Sequence, residues 1–388
     1  MSAPKSCSDP NDIDWHRLID LPPTCSDLQP GSSDLEGKSV LVTGAGGSIG
    51  SALARAIASC SPRRLVLLDT SEHGLYEIDR DLLQIKSAAG HVSVVGSVCD
   101  QDLLSSLFEQ NMPQIVFHAA AFKHVPLMEQ NPFAAIANNS LGTYSLAQAS
   151  ASHGTECMVL VSTDKAVDPV SLMGASKRIA ELVLLTLQPT CGTRMRAVRL
   201  GNVLGSKGSV VPLFLEQIAR GGPVTITHPD AQRYFFTVEQ AVHALLSALS
   251  PGWTESILVP ALGAQTRVVD LVQHLIAAFG DTEIATPIAF TELRPGDKME
   301  EALISSRETW KTDEFGDATA GSLYPVHSPA PALLDLNAEM HELRESLRRR
   351  DLRRMMRAVL ELVPEYQPSK MLSGAVERAA WAVESARA

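Results

Sequence analysis

The chain has 388 residues, 45% of them hydrophobic and 20% charged, which excludes disorder for the bulk of the molecule. Its formal net charge of -11 argues against a nucleic-acid partner, since nucleic-acid-binding domains usually carry a basic face. Six scattered cysteines without a CxxC pair indicate reduced thiols, so neither a disulfide framework nor a metal site is expected. Because no signal peptide and no apolar run of membrane-spanning length is evident, a soluble, cytoplasmic protein is expected.

The first 200 residues divide into an arm and a regular α/β pattern. Residues 1–37 are rich in Ser, Pro and Asp and are predicted to form an N-terminal arm that is at best partly ordered. In residues 38–200, continuously apolar strands alternate with amphipathic helices, which is typical of a parallel sheet covered on both faces. A doubly wound α/β (Rossmann) domain is therefore predicted. The predicted strands are 39–43, 64–69, 92–95, 115–118 and 158–162, and the predicted helices are 48–57, 75–88, 102–109, 132–152 and 175–187.

The remaining residues are less regular. Residues 201–310 are predicted to form a smaller C-terminal substrate-binding lobe, with some segments returning to the Rossmann domain. Residues 311–388 are predicted to be a loop and C-terminal helices, the loop of Gly, Ser and Pro running from Thr309 to Pro331. Arginines cluster at 344–357, but acidic residues interleave with them, so a solvated helix face is favoured over a nucleic-acid patch.

A glycine turn between the first strand and the first helix indicates a dinucleotide site. Gly44 permits the tight turn, Gly47 lets the backbone approach a pyrophosphate, and Gly50 allows the helix to pack closely on the strand. The helix N-terminus then offers free N–H groups to the phosphates. The predicted cofactor contacts in this turn are Gly44, Gly46, Gly47, Ser48, Ile49 and Gly50.

Asp69, at the end of the second strand, favours NAD over NADP. Its carboxylate can accept both ribose hydroxyls, and residues 70–72 contain no Arg or Lys to hold a 2′-phosphate. The alternative is an ordinary turn with a surface carboxylate. Asp100 is placed either to reach the adenine amino group or to cap the following helix. The other predicted NAD contacts are Ser71, Ala119 and Ala120.

Several motifs together resemble one family. The turn with its TGxxGxxG spacing, His118-Ala-Ala-Ala121 and Asn139-Ser-Leu-Gly-Thr143 resemble the extended short-chain dehydrogenase/reductases. Within that group, the chain is similar to the polysaccharide-biosynthesis nucleotide-sugar 4,6-dehydratases, and most to the branch that acts on UDP-N-acetylglucosamine with retention at C5. The motifs that carry this resemblance, which covers roughly residues 38–310, are 162–169, 173–177, 199–209, 227–235 and 293–298. A further match, Leu362–Tyr366, is similar to the tail of long members that usually carry N-terminal membrane helices, and a soluble form is expected here.

The resemblance implies dehydration of a sugar with NAD: oxidation at C4, removal of the C5 proton, loss of the C6 hydroxyl and return of the hydride to C6. It implies that Asp164 is the acid at C6, that Lys165 is the base at C5, and that Lys177 binds the nicotinamide ribose. Most members carry Tyr where this chain has Met173, which has no proton to exchange, so Thr163 is implied to receive the C4 proton, directly or through a water. As a base Lys165 must be neutral, which burial and a nearby cation such as Lys177 favour. The alternative for the adjacent Asp and Lys is a salt-bridged loop pair.

A nucleotide sugar carries two phosphates. A protein with a net negative charge must therefore gather positive side chains at the site that binds them. Arg233 and Arg294 are the predicted phosphate clamps, because a planar guanidinium matches two phosphate oxygens. Asn202 is predicted to donate to the diphosphate, while for each Lys or Arg the alternative is a solvated surface charge. The other predicted substrate contacts are Lys123, His124, Glu129, Asn139, Lys207 and Ser209.

The sequence therefore predicts a UDP-N-acetylglucosamine 4,6-dehydratase with NAD as cofactor and a UDP-sugar as substrate, in the synthesis of modified sugars for glycans or related products. One alternative is a relative that inverts C5 or takes a different nucleotide sugar. Another is an NAD-binding scaffold without turnover. By analogy with the family, a homodimer or larger homo-oligomer is expected.

Overall fold

The computed structural model describes residues 13–21, 32–85, 90–253, 255–261, 264–281, 285–310, 323–329 and 335–385. The strands are β1 (Ser39–Thr43), β2 (Arg64–Asp69), β3 (Gly90–Val95), β4 (Ile115–His118), β5 (Cys157–Thr163), β6 (Arg194–Leu200), β7 (Asn202–Val203), β8 (Val224–Ile226), β9 (Gln232–Arg233), β10 (Phe235–Phe236), β11 (Ile257–Pro260), β12 (Thr266–Arg267), β13 (Ile288–Phe290), β14 (Thr309–Trp310) and β15 (Leu323–His327).

The α-helices of the described residues are α1 (Trp15–Ile19), α2 (Ser32–Leu35), α3 (Ser48–Ala58), α4 (Glu72–Gln84), α5 (Gln101–Asn111), α6 (Val125–Gln130), α7 (Pro132–Ala135), α8 (Gly142–Ser152), α9 (Leu172–Leu187), α10 (Val210–Ala219), α11 (Val238–Ser247), α12 (Val268–Phe279), α13 (Leu336–Arg349), α14 (Leu352–Leu362) and α15 (Lys370–Ser385). None of them combines the length and apolarity that crossing a bilayer requires.

Nine strands form one twisted sheet in the order β14-β15-β11-β6-β5-β4-β1-β2-β3. All pairs from β3 to β11 are parallel, and β15 and β14 then add antiparallel to the far edge. The predicted doubly wound α/β fold is confirmed. The strand order reverses between β1 and β4, and in such sheets the crevice at the carboxyl ends near that reversal receives the ligand.

Helices cover both faces of the sheet because its central strands are apolar on both sides. Along β1, Leu41 packs into one core with α5, α8, α9, α13 and α14, whereas Val40 and Val42 pack into the opposite core with α3, α4 and α11. Burial of these strands and helix faces supplies the main stabilisation of the fold.

A smaller core lies in the lobe that follows β6. It joins α10, α12, β8 and β13, and it includes Trp15 from α1, so part of the segment predicted as an arm packs on this lobe. Within residues 201–310, α11 and β11 pack with the main sheet and its covering helices.

Three sequence predictions were wrong in detail. The loop predicted from Thr309 to Pro331 contains β14 and β15, whose inward residues Leu323 and Val326 are buried. The single helix predicted over 132–152 is interrupted by a π-turn at Ile136–Leu141. The helix predicted over 75–88 begins earlier, because Ser71 caps it, and ends at Gln84; residues 86–89 lie outside the described part.

Candidate active site

The glycine turn closes tightly on the end of β4. Gly44 has a φ of +68°, and a Cβ there would lie 2.6 Å from the backbone of Ala119 and Ala120. A Cβ on Gly50 would lie 2.0 Å from the Gly44 carbonyl oxygen. Both positions therefore require glycine, as the sequence pattern predicts.

Asp69 fixes the same turn from β2. Its two carboxylate oxygens accept the N–H groups of Gly46 and Ser71, each at 2.8 Å. Gly46 also lies against Gly74 of α4, where a Cβ would approach the backbone to 2.8 Å. α3 begins after Gly47 without a side-chain cap, which leaves its N-terminus available for phosphate oxygens. This cradle fits a dinucleotide, with Ser48 and Ile49 in the first turn of the helix.

Gly50→Ala is expected to lower the free energy of unfolding by about 1–3 kcal/mol, because the new methyl group overpacks the turn. Urea denaturation measures this directly. Gly90→Ala is the matched control, since a Cβ there meets nothing within 4 Å, and its effect is expected to stay within about 0.5 kcal/mol. Equal stability of the two variants would contradict the packing described for the turn.

Asp100 caps α5 by accepting the N–H of Leu103 at 3.0 Å. This is the second of the two roles considered for it, and contact with adenine stays a prediction.

Thr163, Asp164 and Lys165 lie together where β5 ends and a single 3₁₀ turn begins. Thr163 Oγ1 donates to Asp164 Oδ1 at 2.9 Å, and Lys165 Nζ donates to the same oxygen at 3.0 Å. The other oxygen, Asp164 Oδ2, is buried and has no hydrogen-bond partner among the residues that the structure describes. An unpartnered buried carboxyl oxygen is costly, so it marks a position where a ligand hydroxyl can bind.

Lys165 is held by more than its neighbour in sequence. Its Nζ also donates to Asn202 Oδ1 at 3.3 Å and lies 3.6 Å from Glu301 Oε1. Burial lowers the pKa of Lys165, but the attraction of Asp164 and Glu301 outweighs it, and the pKa is raised above its ordinary value. The attraction of Asp164 first and of Glu301 second thus opposes the neutral form that the sequence analysis expects for Lys165, and its neutrality as a base stays a prediction.

Helix α9 presents the other two predicted catalytic positions. It approaches the catalytic turn so closely that a Cβ on Gly174 would lie 2.2 Å from the Lys165 carbonyl oxygen. Met173 is buried in the core at the start of this helix. Burial lowers the pKa of Lys177 to about 8, with Glu181 opposing the shift, so Lys177 is mostly charged at neutral pH.

The loop after β7 bridges the glycine turn and the start of α6. The Lys207 N–H donates to Ser48 Oγ at 2.8 Å, and its Nζ pairs with Glu77 at 2.7 Å. From the opposite side, Lys123 Nζ donates to the Lys207 carbonyl at 2.8 Å, and His124 packs against Gly208. The structure thus brings Lys123, His124 and Lys207 together.

Predicted residues of this region differ in their surroundings. Ser209, which precedes α10, has a buried Oγ with no hydrogen-bond partner in the described ranges. Burial lowers the pKa values of both Lys123 and His124, and for His124 the cations Lys123 and Arg294 lower it further. Burial therefore disfavours the charged forms of Lys123 and His124.

Four residues that are predicted to contact the substrate bond to other groups of the protein. Arg233 donates to the main-chain carbonyls of 232, 298 and 299, and Arg294 pairs with Asp297 at 2.8 Å. The Asn139 amide bridges Phe122 and the hydroxyl of 176, so it holds the loop after β4. Glu129 accepts the Leu172 N–H at 2.7 Å, so it helps to cap α9, and its place in a sugar pocket stays a prediction.

A buried ionic cluster below the site was not predicted. Arg199 donates to Glu181 and Glu308, and Arg178 pairs with Glu181 at 2.9 Å. Glu181 also accepts the Ser162 hydroxyl at 2.7 Å, one residue before Thr163. The cluster ties β5, β6 and α9 together behind the catalytic turn.

The parallel strand order and the glycine turn at the sheet reversal define a protein of the Rossmann type. The chain belongs to the polysaccharide biosynthesis protein family, whose sequence profile matches residues 40–322.

Individual relatives agree with this assignment. The chain is 40% identical over 356 residues to the probable polysaccharide biosynthesis protein EpsC of Bacillus subtilis, a match that covers 91% of this chain and 58% of that protein. It thus spans little more than half the length of this relative. It is 30% identical over 283 residues to the UDP-N-acetylglucosamine 4,6-dehydratase (inverting) of Campylobacter jejuni, covering 72% of this chain and 80% of that one. The crystal structure of Thermotoga maritima UDP-glucose 4-epimerase with UDP-glucose shares the fold, with a TM-score of 0.60, 22% identity and coverage of 68% and 88%.

Proposed function

We propose that this protein dehydrates UDP-N-acetylglucosamine at C4–C6 with NAD as a resident cofactor and with retention at C5. The observation that carries the proposal is the adjacent acid and base at the end of β5. Asp164 has one unpartnered buried oxygen, and the Lys165 amine lies 3.0 Å from the other oxygen. A dehydration needs this pairing, because one group must remove a proton while the other gives one to the leaving hydroxyl.

NAD would be held by the glycine turn, the α3 N-terminus, Asp69 and Lys177. When bound, it supplies reversible hydride exchange with the sugar. Asp69 accepts the Gly46 N–H, and this contact with the glycine turn supports a role for its carboxylate at the nucleotide. Lys177, charged at neutral pH, is suited to donate to ribose hydroxyls.

The chain's own residues account for the remaining steps in this proposal. Thr163 Oγ1 takes the proton from the C4 hydroxyl, directly or through a water, while its own proton passes to Asp164 Oδ1, to which it donates at 2.9 Å. Met173 cannot take this proton. Lys165 removes the C5 proton once the C4 ketone has acidified it. Asp164 protonates the C6 hydroxyl, which leaves as water.

Met173 argues against a simple epimerase, although epimerases share the fold. Methionine has no exchangeable proton at the position where the resemblance places tyrosine. The intact acid and base beside it favour elimination over simple redox exchange at C4. The match to an enzyme that inverts C5 leaves the stereochemical outcome as part of the proposal.

The proposal predicts that purified protein converts UDP-N-acetylglucosamine in D2O without added cofactor. Mass spectrometry and proton NMR should show loss of one water, deuterium at C5 and an unchanged ring configuration. The matched control is UDP-glucose under the same conditions, which lacks the acetamido group and is expected to react at least about tenfold more slowly.

Each other outcome has a definite meaning. Inverted ring couplings would overturn retention while leaving the dehydration in place. No reaction with UDP-N-acetylglucosamine, even with NAD added, would refute the substrate assignment, and a binding role for NAD without turnover would then gain support.

A further inference from the structure

Glu301 lies beside the proposed base but far from it in sequence. Its side chain is 2% exposed, and Oε1 lies 3.6 Å from Lys165 Nζ. Its second oxygen, Oε2, lies 3.5 Å from Lys298 Nζ and makes no hydrogen bond within the described part of the chain. Lys298 is held in turn by the Val167 carbonyl at 2.6 Å. One buried carboxylate is therefore shared by two lysines.

We propose that Glu301 is a positioning residue that holds the Lys165 amine between two carboxylates and stabilises the positive charge that Lys165 gains when it removes the C5 proton. The inference rests on the proposed function for its catalytic meaning. The effect of Glu301 on Lys165 does not depend on which substrate the protein takes.

The charged groups around Lys165 come from three segments. Asp164 belongs to its own turn, Arg233 to β9, and Glu301 and Lys298 to the segment after β13. The two carboxylates raise the pKa of Lys165, whereas burial and Arg233 lower it. Asn202 adds an uncharged acceptor at 3.3 Å. Glu301 thus offsets both burial and the nearby cation.

The proton balance shows why a second carboxylate is useful. When the C5–H bond breaks, its electron pair forms the C5–C6 double bond, and the C6–O bond breaks. The proton moves to the Lys165 amine, and the departing oxygen takes the proton of Asp164. Before this step Lys165 faces one ionised carboxylate, Glu301; after it, the ammonium faces two. A fixed anion at 3.6 Å therefore favours the charge that develops during proton removal.

Glu301 also restricts the positions that the Lys165 amine can take. A lysine beside Asp164 alone is free to rotate about its long side chain, whereas Glu301 and Asn202 fix Nζ from two further directions. Glu301 Oε2 is buried but accepts no hydrogen bond from the described residues. Hydrogen bonding alone therefore does not explain why this carboxylate is buried.

The test compares Glu301→Gln with Glu300→Gln. Glu300 is the exposed neighbour, bonded to Gln232 at 3.2 Å, and its replacement makes the same chemical change without facing Lys165. The folded protein, without substrate, is treated with a trace of acetic anhydride at a series of pH values. Peptide mass spectrometry then reports the acetylation of Lys165, whose side chain is 22% exposed.

In Glu301→Gln the titration midpoint of Lys165 is expected to fall by at least about one pH unit, because an opposite charge within a few ångströms has been removed. Glu300→Gln should leave the midpoint unchanged. Lys298→Met is a second variant with the opposite sign: removing a cation should raise the Lys165 midpoint. An unchanged midpoint in both Glu301→Gln and Lys298→Met overturns the inference.

Turnover is measured separately on the same variants. Glu301→Gln is expected to reduce the rate of deuterium entry at C5 about tenfold or more. The acidic limb of the pH–rate profile should also shift to lower pH. If the Lys165 midpoint moves but wild-type protein does not dehydrate the substrate, the proposed function fails and the role of Glu301 stands. If wild-type protein turns over and Glu301→Gln matches it at every pH, the catalytic part of the inference is refuted.

Discussion

Replacing Lys165 with methionine is expected to lower the rate of dehydration by about 10²–10⁴-fold, the usual contribution of a general base. Methionine keeps much of the side-chain volume but has no proton acceptor of comparable strength. Asp164 loses the hydrogen bond from Lys165 Nζ at 3.0 Å. It cannot take over as the base at C5, because it is needed as the acid that protonates the C6 hydroxyl. Product formation and deuterium entry at C5 should fall together, and both are measured by NMR in D2O.

Lys38→Met is the matched control. Lys38 is also partly buried and paired with a carboxylate, Glu156 at 2.7 Å, but it precedes β1 at the opposite end of the sheet. Its replacement should leave turnover within about twofold and cost at most about 1 kcal/mol in stability. Equal activity of Lys165→Met and wild-type protein would show that the base is another residue.

Replacing Arg199 with methionine is expected to lower the free energy of unfolding by about 3–5 kcal/mol at neutral pH. The Arg199 side chain is 1% exposed and is paired with Glu181 at 2.8 Å and Glu308 at 2.6 Å. Without it, two buried carboxylates lose their main cation. Denaturation in guanidinium chloride, followed by circular dichroism, measures the loss.

The same variant has a characteristic pH dependence. Burial would raise the pKa of Glu181, but Arg199, together with Arg178, lowers it to about 2 from an ordinary value of 4.5. A lowered carboxyl pKa contributes stability above the unfolded value, and this contribution is lost as the pH falls from 4.5 toward about 2. The difference between wild-type and Arg199→Met protein should therefore be largest above about pH 5 and shrink toward pH 3.

Arg196→Met provides the control for this titration. Arg196 lies in the same strand and is as deeply buried, but its guanidinium donates to main-chain carbonyls, so its loss leaves no carboxylate unpaired. The loss of unfolding free energy in Arg196→Met should not become smaller as the pH falls through this range. A parallel pH response of the two variants would contradict the ionic account of the cluster.

The central strands were predictable because each is a short apolar run that ends at a polar residue. The predicted bounds of β1, β2 and β4 match the structure residue for residue. β15 escaped prediction because Pro325 interrupts a strand pattern, and because its place is determined by pairing with β11. Local periodicity holds no information about a partner that lies more than sixty residues away.

The candidate site was predictable where its chemistry lies within one motif. The glycines of the dinucleotide cradle follow from local spacing, and the turn from Thr163 to Lys165 was singled out by its resemblance to a family motif. Glu301 and the Arg199 cluster were missed because their partners come together only in the folded chain. A signal for Glu301 existed, since it lies three residues after Lys298 at the end of a recognised motif, but its ion pair with Lys165 could not be inferred from the sequence.

The position of β11 in the sheet has a consequence for how the chain is assembled. β6 is paired on one side by β5, and its other side remains an unpaired strand edge until residues 257–260 have been synthesised. Only the first part of the smaller lobe, α10 and β8, lies between these two strands in the chain, whereas α12 and β13 follow β11. That first part must be made, and its ends brought together, before the edge of β6 is closed, so it acts during folding as a tether between the two strands.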